Sequence, residues 1–200
     1  MTGRIVAVYG NMVIAETSGR VIQNSVAYCC RDDGARLLSE VIRIRGRLAD
    51  LQVFEETRGL KVCNAVDFKE DMLSVDLGPG LLGQIYDGLQ NPLPNLAQEA
   101  GYFLKPGVYI RALDSDRKWD FTPLAKPGQT VTAGETLGTV PEGIFTHRVM
   151  APFALAGSCK VESVVPAGQY TVEQEIAVLV DESGKKIPVK MVQSWPVKRA

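Results

Sequence analysis

Gly78-Pro79-Gly80-Leu81-Leu82-Gly83 satisfies the G-x-G-x-x-G spacing. Glycines placed this way let backbone amides approach a pyrophosphate, provided the turn sits in a βαβ unit and an acidic residue about twenty positions on holds the ribose. Glu99 stands near that distance, but Pro92 and Pro94 intervene and no second strand precedes it. The segment therefore reads as a tight glycine turn leading into a helix. Gly184-Lys185 is the only Gly-Lys pair, and a phosphate-cradling loop built on it would need glycine where Leu179 stands and Ser or Thr where Lys186 stands. His147 is the only histidine, so there is no multi-histidine metal site and no second histidine for a dyad, and a structural or solvated role is expected for it. Cys29, Cys30, Cys63 and Cys159 form no C-x-x-C pair. They are expected as buried or half-buried free thiols, with Cys29 and Cys30 on opposite sides of a strand. The residues thus assign no catalytic, cofactor-binding or metal position.

The elements that would carry these residues are mostly strands. Arg4–Tyr9 and Met12–Glu16 flank Gly10-Asn11, a permitted two-residue hairpin turn, although one bulged strand fits equally well. Ile42 and Ile44 alternate with Arg43 and Arg45, and Ala49, Leu51 and Val53 alternate with Asp50 and Gln52, with Gly46-Arg47 between the two runs. Period two buries one face of each. Further short apolar runs at Ser25–Cys29, Asn64–Phe68 and Leu73–Leu77 bring the strands between Arg4 and about Asp76 to about six. A small closed barrel is the expectation, because closure removes exposed strand edges.

Leu82, Ile85, Tyr86 and Leu89 then recur at helical spacing, which predicts a helix over Leu81–Leu89 ended by Asn91-Pro92-Leu93-Pro94. From Lys105 to Leu179 the texture is again strand and turn. Gly128-Gln129-Thr130-Val131 through Leu137-Gly138-Thr139-Val140 is echoed, 40 residues on and with a one-residue gap, by Gly168-Gln169-Tyr170-Thr171-Val172 through Ile176-Ala177-Val178-Leu179. Such a repeat predicts two interlocked halves of one small β-sandwich. Asp181-Glu182-Ser183-Gly184 reads as a further hairpin turn.

Hydrophobic residues make up 46% and charged residues 22% of the 200, enough apolar material for a core, so a disordered or collagen-like chain is excluded. Length alone permits one domain or two small ones. Twenty-two basic residues nearly cancel 23 acidic ones, a balance that argues against phosphate-backbone binding and hence against nucleic acid. No apolar run approaches a membrane span, and Met1–Val8 lacks a charged-then-apolar signal pattern, so a cytoplasmic chain without direct membrane insertion is expected.

Met150-Ala151-Pro152, Gly157-Ser158-Cys159-Lys160-Val161 and Pro166-Ala167-Gly168-Gln169 resemble the second half of biotinyl and lipoyl carrier domains. Carriers modify a lysine at the hairpin tip between the halves, and between Lys126 and Lys160 this chain has none. The resemblance implies a lipoyl-like fold without the modified lysine. A non-catalytic β-rich protein-interaction module is the companion alternative.

A second resemblance spans essentially the whole chain. Leu77-Gly78-Pro79-Gly80-Leu81-Leu82-Gly83-Gln84-Ile85-Tyr86-Asp87-Gly88-Leu89-Gln90-Asn91-Pro92-Leu93 closely resembles the catalytic A subunit (alpha chain) of vacuolar and archaeal-type rotary ATPases. Gln52-Val53-Phe54-Glu55-Glu56-Thr57-Arg58-Gly59-Leu60 is similar to the end of that subunit's amino-terminal barrel. Lys118-Trp119-Asp120-Phe121-Thr122-Pro123, Leu137-Gly138-Thr139-Val140-Pro141-Glu142 and His147-Arg148-Val149-Met150-Ala151-Pro152 resemble its inserted bulge, and Gln193-Ser194-Trp195-Pro196-Val197-Lys198-Arg199 the return to its nucleotide-binding domain.

The resemblance implies a mainly β chain comprising a small amino-terminal β-barrel, a short strand-helix connector and an inserted β-sandwich of barrel-sandwich type. It divides the chain into a collar barrel (1–70), the start of the nucleotide-binding domain (71–111), the inserted bulge (112–188) and the return (189–200). It also implies that the P-loop, catalytic glutamate and arginine contacts lie beyond the Trp-Pro segment. This would be an amino-terminal fragment with no cofactor of its own, Mg-ATP belonging to the parent subunit. The implied partners are B subunits at the barrel and peripheral-stalk subunits near the bulge, in a complex peripheral to the membrane that couples ATP hydrolysis or synthesis to proton or sodium transport.

Overall fold

A computed structural model describes residues 1–101 and 105–198, so Arg199 of the return segment lies outside the described residues. The chain forms two compact units. The first comprises Met1–Val75, Leu93–Ile110 and the chain from Pro196; the second comprises Asp76–Pro92 and Arg111–Trp195.

The first unit contains a closed barrel of β1 (Thr2–Tyr9), β2 (Met12–Thr17), β3 (Ser25–Cys30), β4 (Arg36–Arg45), β5 (Leu48–Val53) and β6 (Ala65–Met72), in the order β1-β2-β5-β4-β3-β6. Tyr9 pairs with Met12 and Arg45 with Leu48 across two-residue turns. In each turn the first residue is a glycine with positive φ, +60° at Gly10 and +61° at Gly46, and the second has no positive φ. That arrangement matches the twist of the flanking strands and excludes a side chain at the first position.

Ile5, Val13, Ala15, Cys29, Leu37, Val41, Leu51 and Val66 fill the interior with no exposed surface. Ladder irregularities at Ile5/Ala7 and Val41/Arg43 supply the bends that closure requires. Past the second irregularity the predicted alternation holds: Ile42 and Ile44 are half-buried while Arg43 and Arg45 are exposed.

The predicted helix over Leu81–Leu89 is absent. Gly83 and Gln90 adopt positive φ of +80° and +63°. The Asp87 carboxylate accepts from the amides of Leu89 at 2.9 Å and Asn91 at 2.8 Å, folding the segment into turns. The helix instead begins where the prolines were expected to end one: α1 spans Leu93–Ala100 and buries Leu96 and Ala100 within the first unit. Pro94 falls in its first turn, where an amide has no intrahelical acceptor to lose, and Gly101 (φ +71°) closes it by donating to Ala97 O at 2.9 Å. A separate two-stranded sheet pairs β7 (Ser74–Leu77) with β16 (Gln193–Pro196).

The second unit holds two four-stranded sheets. Its strands are β8 (Lys118–Pro123), β9 (Thr130–Val131), β10 (Thr136–Glu142), β11 (Phe145–Met150), β12 (Cys159–Val164), β13 (Gly168–Thr171), β14 (Glu175–Val180) and β15 (Lys186–Lys190). The sheet orders are β11-β10-β8-β13 and β15-β14-β12-β9. Each half of the repeat therefore lends its second strand to the sheet of the other half, the interlocking that the repeat predicts. The correspondence extends to defects: β10 shifts register between Thr136 and Gly138, and β14 between Glu175 and Ala177. Leu137 and Ile176, the residues at these shifts, are both fully buried in the shared core.

Candidate functional site

The G-x-G-x-x-G turn is built against the sandwich of the second unit. A Cβ on Gly78 would lie 3.0 Å from Leu113 Cδ1 and 3.2 Å from Met191 O, and Gly80 has φ +112°. Both glycines are explained by backbone approach and conformation without a ligand. The turn's amides are also already engaged. Gly80 N and Leu82 N donate to Glu142 Oε1 at 2.6 and 3.2 Å, and Glu142 Oε2 meets His147 Nδ1 at 3.0 Å. Glu142 is only 6% exposed, so its carboxylate fills the concavity that successive amides offer an anion. Dinucleotide binding at this turn would have to displace a buried, triply bonded carboxylate of the same chain.

Sequence reasoning identified the glycines and His147 but found no partner for His147. The available signal was the hairpin itself: Glu142 pairs with Phe145 around the Gly143-Ile144 turn, with Gly143 at φ +61°, which returns His147 towards Glu142. At the same tip, where a carrier domain presents its lysine, this chain places Ile144 with 93% of its surface exposed.

Gly184-Lys185 shows the same internal saturation. Asp181 Oδ1 accepts from Ser183 N at 2.9 Å, Ser183 Oγ at 2.6 Å and Lys185 N at 2.9 Å. The Ser183 hydroxyl leads the backbone amides in holding the Asp181 carboxyl below its ordinary range.

All four cysteines are free. Burial pushes the Cys29 thiol up to about 11 inside the barrel, against a smaller opposing contribution from Ser39, and burial likewise raises Cys159. Cys63 is exposed, which corrects the expectation of a buried or half-buried thiol. It lies in a loop with φ +74°, where no strand face covers it.

Two further polar arrangements in the first unit escaped the sequence reading. Glu40, 2% exposed on β4, receives Lys198 Nζ at 2.6 Å. Tyr109 donates its hydroxyl to Glu55 Oε1 and accepts from Leu38 N at 2.6 Å, while Gly107 N donates to Glu55 Oε2 at 2.7 Å. Burial, then the Glu55 bond, push the Tyr109 phenol upward.

A closed six-stranded barrel and an interlocked double-sheet module, the latter carrying internally saturated glycine turns, define a two-module β protein. Residues 5–69 match the beta-barrel domain of the ATP synthase alpha/beta family, and residues 110–198 match the ATP synthase alpha/beta subunit barrel-sandwich domain. The chain belongs to the ATP synthase alpha/beta family.

It is 54% identical over 198 residues to the V-type ATP synthase alpha chain of Treponema denticola, covering 99% of this chain and 33% of that one. It is 50% identical over 197 residues to V-type ATP synthase alpha chain 1 of Treponema pallidum, covering 98% and 33%. With the alpha chain of Borreliella burgdorferi strain ZS7 the identity is 47% over 196 residues, covering 98% and 34%. The chain thus spans about a third of the length of the curated relatives it matches.

Proposed function

We propose that this chain is the amino-terminal part of the catalytic alpha subunit of a V-type rotary ATP synthase, the complex that couples ATP hydrolysis or synthesis to proton or sodium transport. The observation that carries the reading is the 54% identity to such an alpha chain over 198 residues. Within that subunit these residues supply assembly surfaces and contribute no catalytic, cofactor-binding or metal-binding group. The engagement of the Gly80 and Leu82 amides by Glu142 supports this, because the one phosphate-like turn is already filled.

Mg-ATP is bound by other parts of the parent subunit. The barrel of residues 1–70 joins a collar with B subunits, 71–111 opens the nucleotide-binding domain, 112–188 is an inserted bulge facing peripheral-stalk subunits, and 189–200 returns to the nucleotide-binding domain. The complex sits on the cytoplasmic side, peripheral to the membrane; among the described residues no helix is long and apolar enough to span one. The near-zero net charge gives nucleic acid no footing.

Exchange of the matching third of the Treponema denticola alpha chain for these 200 residues tests the reading. The hybrid is expected to assemble with its B subunits into a complex with Mg-ATPase activity. A hybrid that folds yet fails to assemble would overturn it.

A further inference from the structure

One cleft of the second unit carries features that its own packing does not use. It is open, about 370 Å³, and bordered by the Gly80–Gly83 turn, Arg117, Trp119 and the tip of the β10-β11 hairpin. Trp119 is 4% exposed, and its indole Nε1 has no hydrogen-bond partner among the described residues. Buried indole N–H groups are ordinarily paired, so this one is a donor in want of an acceptor. The neighbouring ring edge faces the turn: a Cβ on Gly80 would lie 3.3 Å from Trp119 Cζ2.

Arg117 covers the indole, its guanidinium carbon 4.0 Å from the ring centroid, and makes no ion pair among the described residues. The carboxylate of the cleft is engaged elsewhere, with Glu142 Oε1 on the Gly80 and Leu82 amides and Oε2 on His147. The rim is apolar and uncovered, with Leu82 56%, Phe145 57% and Ile144 93% exposed. A cation held ready on an aromatic face beside exposed aliphatic and aromatic side chains is the composition of an interface centre.

We propose that this cleft docks a short extended segment of a partner protein in which an apolar side chain is flanked by a carboxylate. The apolar side chain covers Ile144, Phe145 and Leu82. The carboxylate pairs with Arg117 where it stands on the indole face, and a carbonyl of the segment accepts from the unpartnered Trp119 Nε1–H. Charge complementarity selects the partner: the unpaired Arg117 favours an acidic segment and disfavours a basic one. The inference goes beyond the ATP-synthase reading, since it follows from the chemistry of the cleft alone.

The test is proton–nitrogen NMR of the 200-residue chain titrated with three capped peptides, Gly-Asp-Leu-Asp-Gly, Gly-Lys-Leu-Lys-Gly and Gly-Asp-Gly-Asp-Gly. The first is expected to move the Trp119 indole N–H and the Ile144 and Phe145 amides with a Kd of about 1 mM or tighter. Arg117→Gln should weaken it roughly tenfold and Ile144→Ser several-fold, each leaving the remaining spectrum in place. The lysine peptide should leave these peaks unmoved, and the peptide lacking leucine should bind more weakly. Equal shifts from all three peptides, or none at several millimolar, would overturn the proposal. So would movement of the same peaks with protein concentration alone, abolished by Ile144→Asp, which would assign the cleft to a second copy of this chain.

Discussion

Oε2 of Glu142 lies 3.0 Å from Nδ1 of His147 across the turn of a single hairpin, while the other oxygen of the same carboxylate binds the amides of Gly80 and Leu82. A turn that resembles a phosphate loop is thus completed by an anion some sixty positions away in the chain. The sole histidine aligns that anion.

Glu142→Ala should leave two amides of the Gly80–Leu82 turn without their acceptor. Loss of a buried acceptor that serves several donors costs about 2–4 kcal/mol, against roughly 1 kcal/mol for His147→Ala, which removes one contact and no buried amide partner. Urea unfolding measures both, and native-state hydrogen exchange should quicken at Gly80 and Leu82 in the Glu142 variant. Equal, negligible effects of the two changes would refute the assignment of Glu142 as the turn's anchor.

Lys198→Ala should destabilise the first unit, because Glu40 would remain buried without its cation. Breaking a fully buried pair costs about 3–5 kcal/mol, and the 51% exposed Lys198 side chain lowers the expectation to roughly 1–3 kcal/mol. Adding Glu40→Gln removes the charge and should recover most of the loss. If the double variant is no more stable than Lys198→Ala, the ion pair does not hold this segment.

Cys29 gives the barrel a defined alkaline response. Burial raises its thiol from an ordinary 9.0 to about 11, so the folded barrel keeps a proton that the unfolded chain releases. Its contribution is complete below pH of about 8.5 and is lost as pH rises through the folded value, about 3 kcal/mol across the window. Cys29→Ala should leave a small core cavity at neutral pH yet flatten the decline between pH 9 and 11 relative to the parent. Parallel declines in the two proteins would show that other groups set the alkaline limit.

Gly138→Ala should damage the sandwich specifically. A Cβ there would stand 2.3 Å from Phe121 Cε2 and 2.8 Å from Thr122 O, and Phe121 is 1% exposed with no room to withdraw. Overpacking of this kind costs of order 3 kcal/mol. Ala177, which follows the matching register shift in the second half of the repeat, already carries the methyl group that Gly138 cannot. Thermal unfolding of Gly138→Ala should show a lowered transition for the sandwich core, and an unchanged transition would mean that the ring shifts freely.

The amino-acid sequence by itself determined the features that depend on neighbours in the chain. Period-two alternation over Ile42–Arg45 and Ala49–Val53 located β4 and β5, short apolar runs located β3 and β6, and glycine at the first position of two-residue turns marked the hairpins at Gly10 and Gly46. The run Leu73–Leu77, counted among the barrel strands, instead forms β7 and pairs with β16 outside the barrel. The repeat was legible because each half encodes its own strand and turn pattern, down to Leu137 and Ile176 at matching register shifts. Helical spacing over Leu81–Leu89 misled, because it records where apolar side chains fall but not the positive φ of Gly83 or the Asp87 carboxylate that captures nearby amides. Only the tertiary structure decided which acceptor the glycine turn would hold, where Glu40 would find its cation, and that Arg117 would rest on Trp119 without a carboxylate. Each of those contacts joins residues whose separation or orientation is fixed by strand order across a closed barrel or an interlocked sandwich. No local pattern carries that information, because a hydrogen bond depends on distance in space and the chain specifies that distance only once its cores have packed.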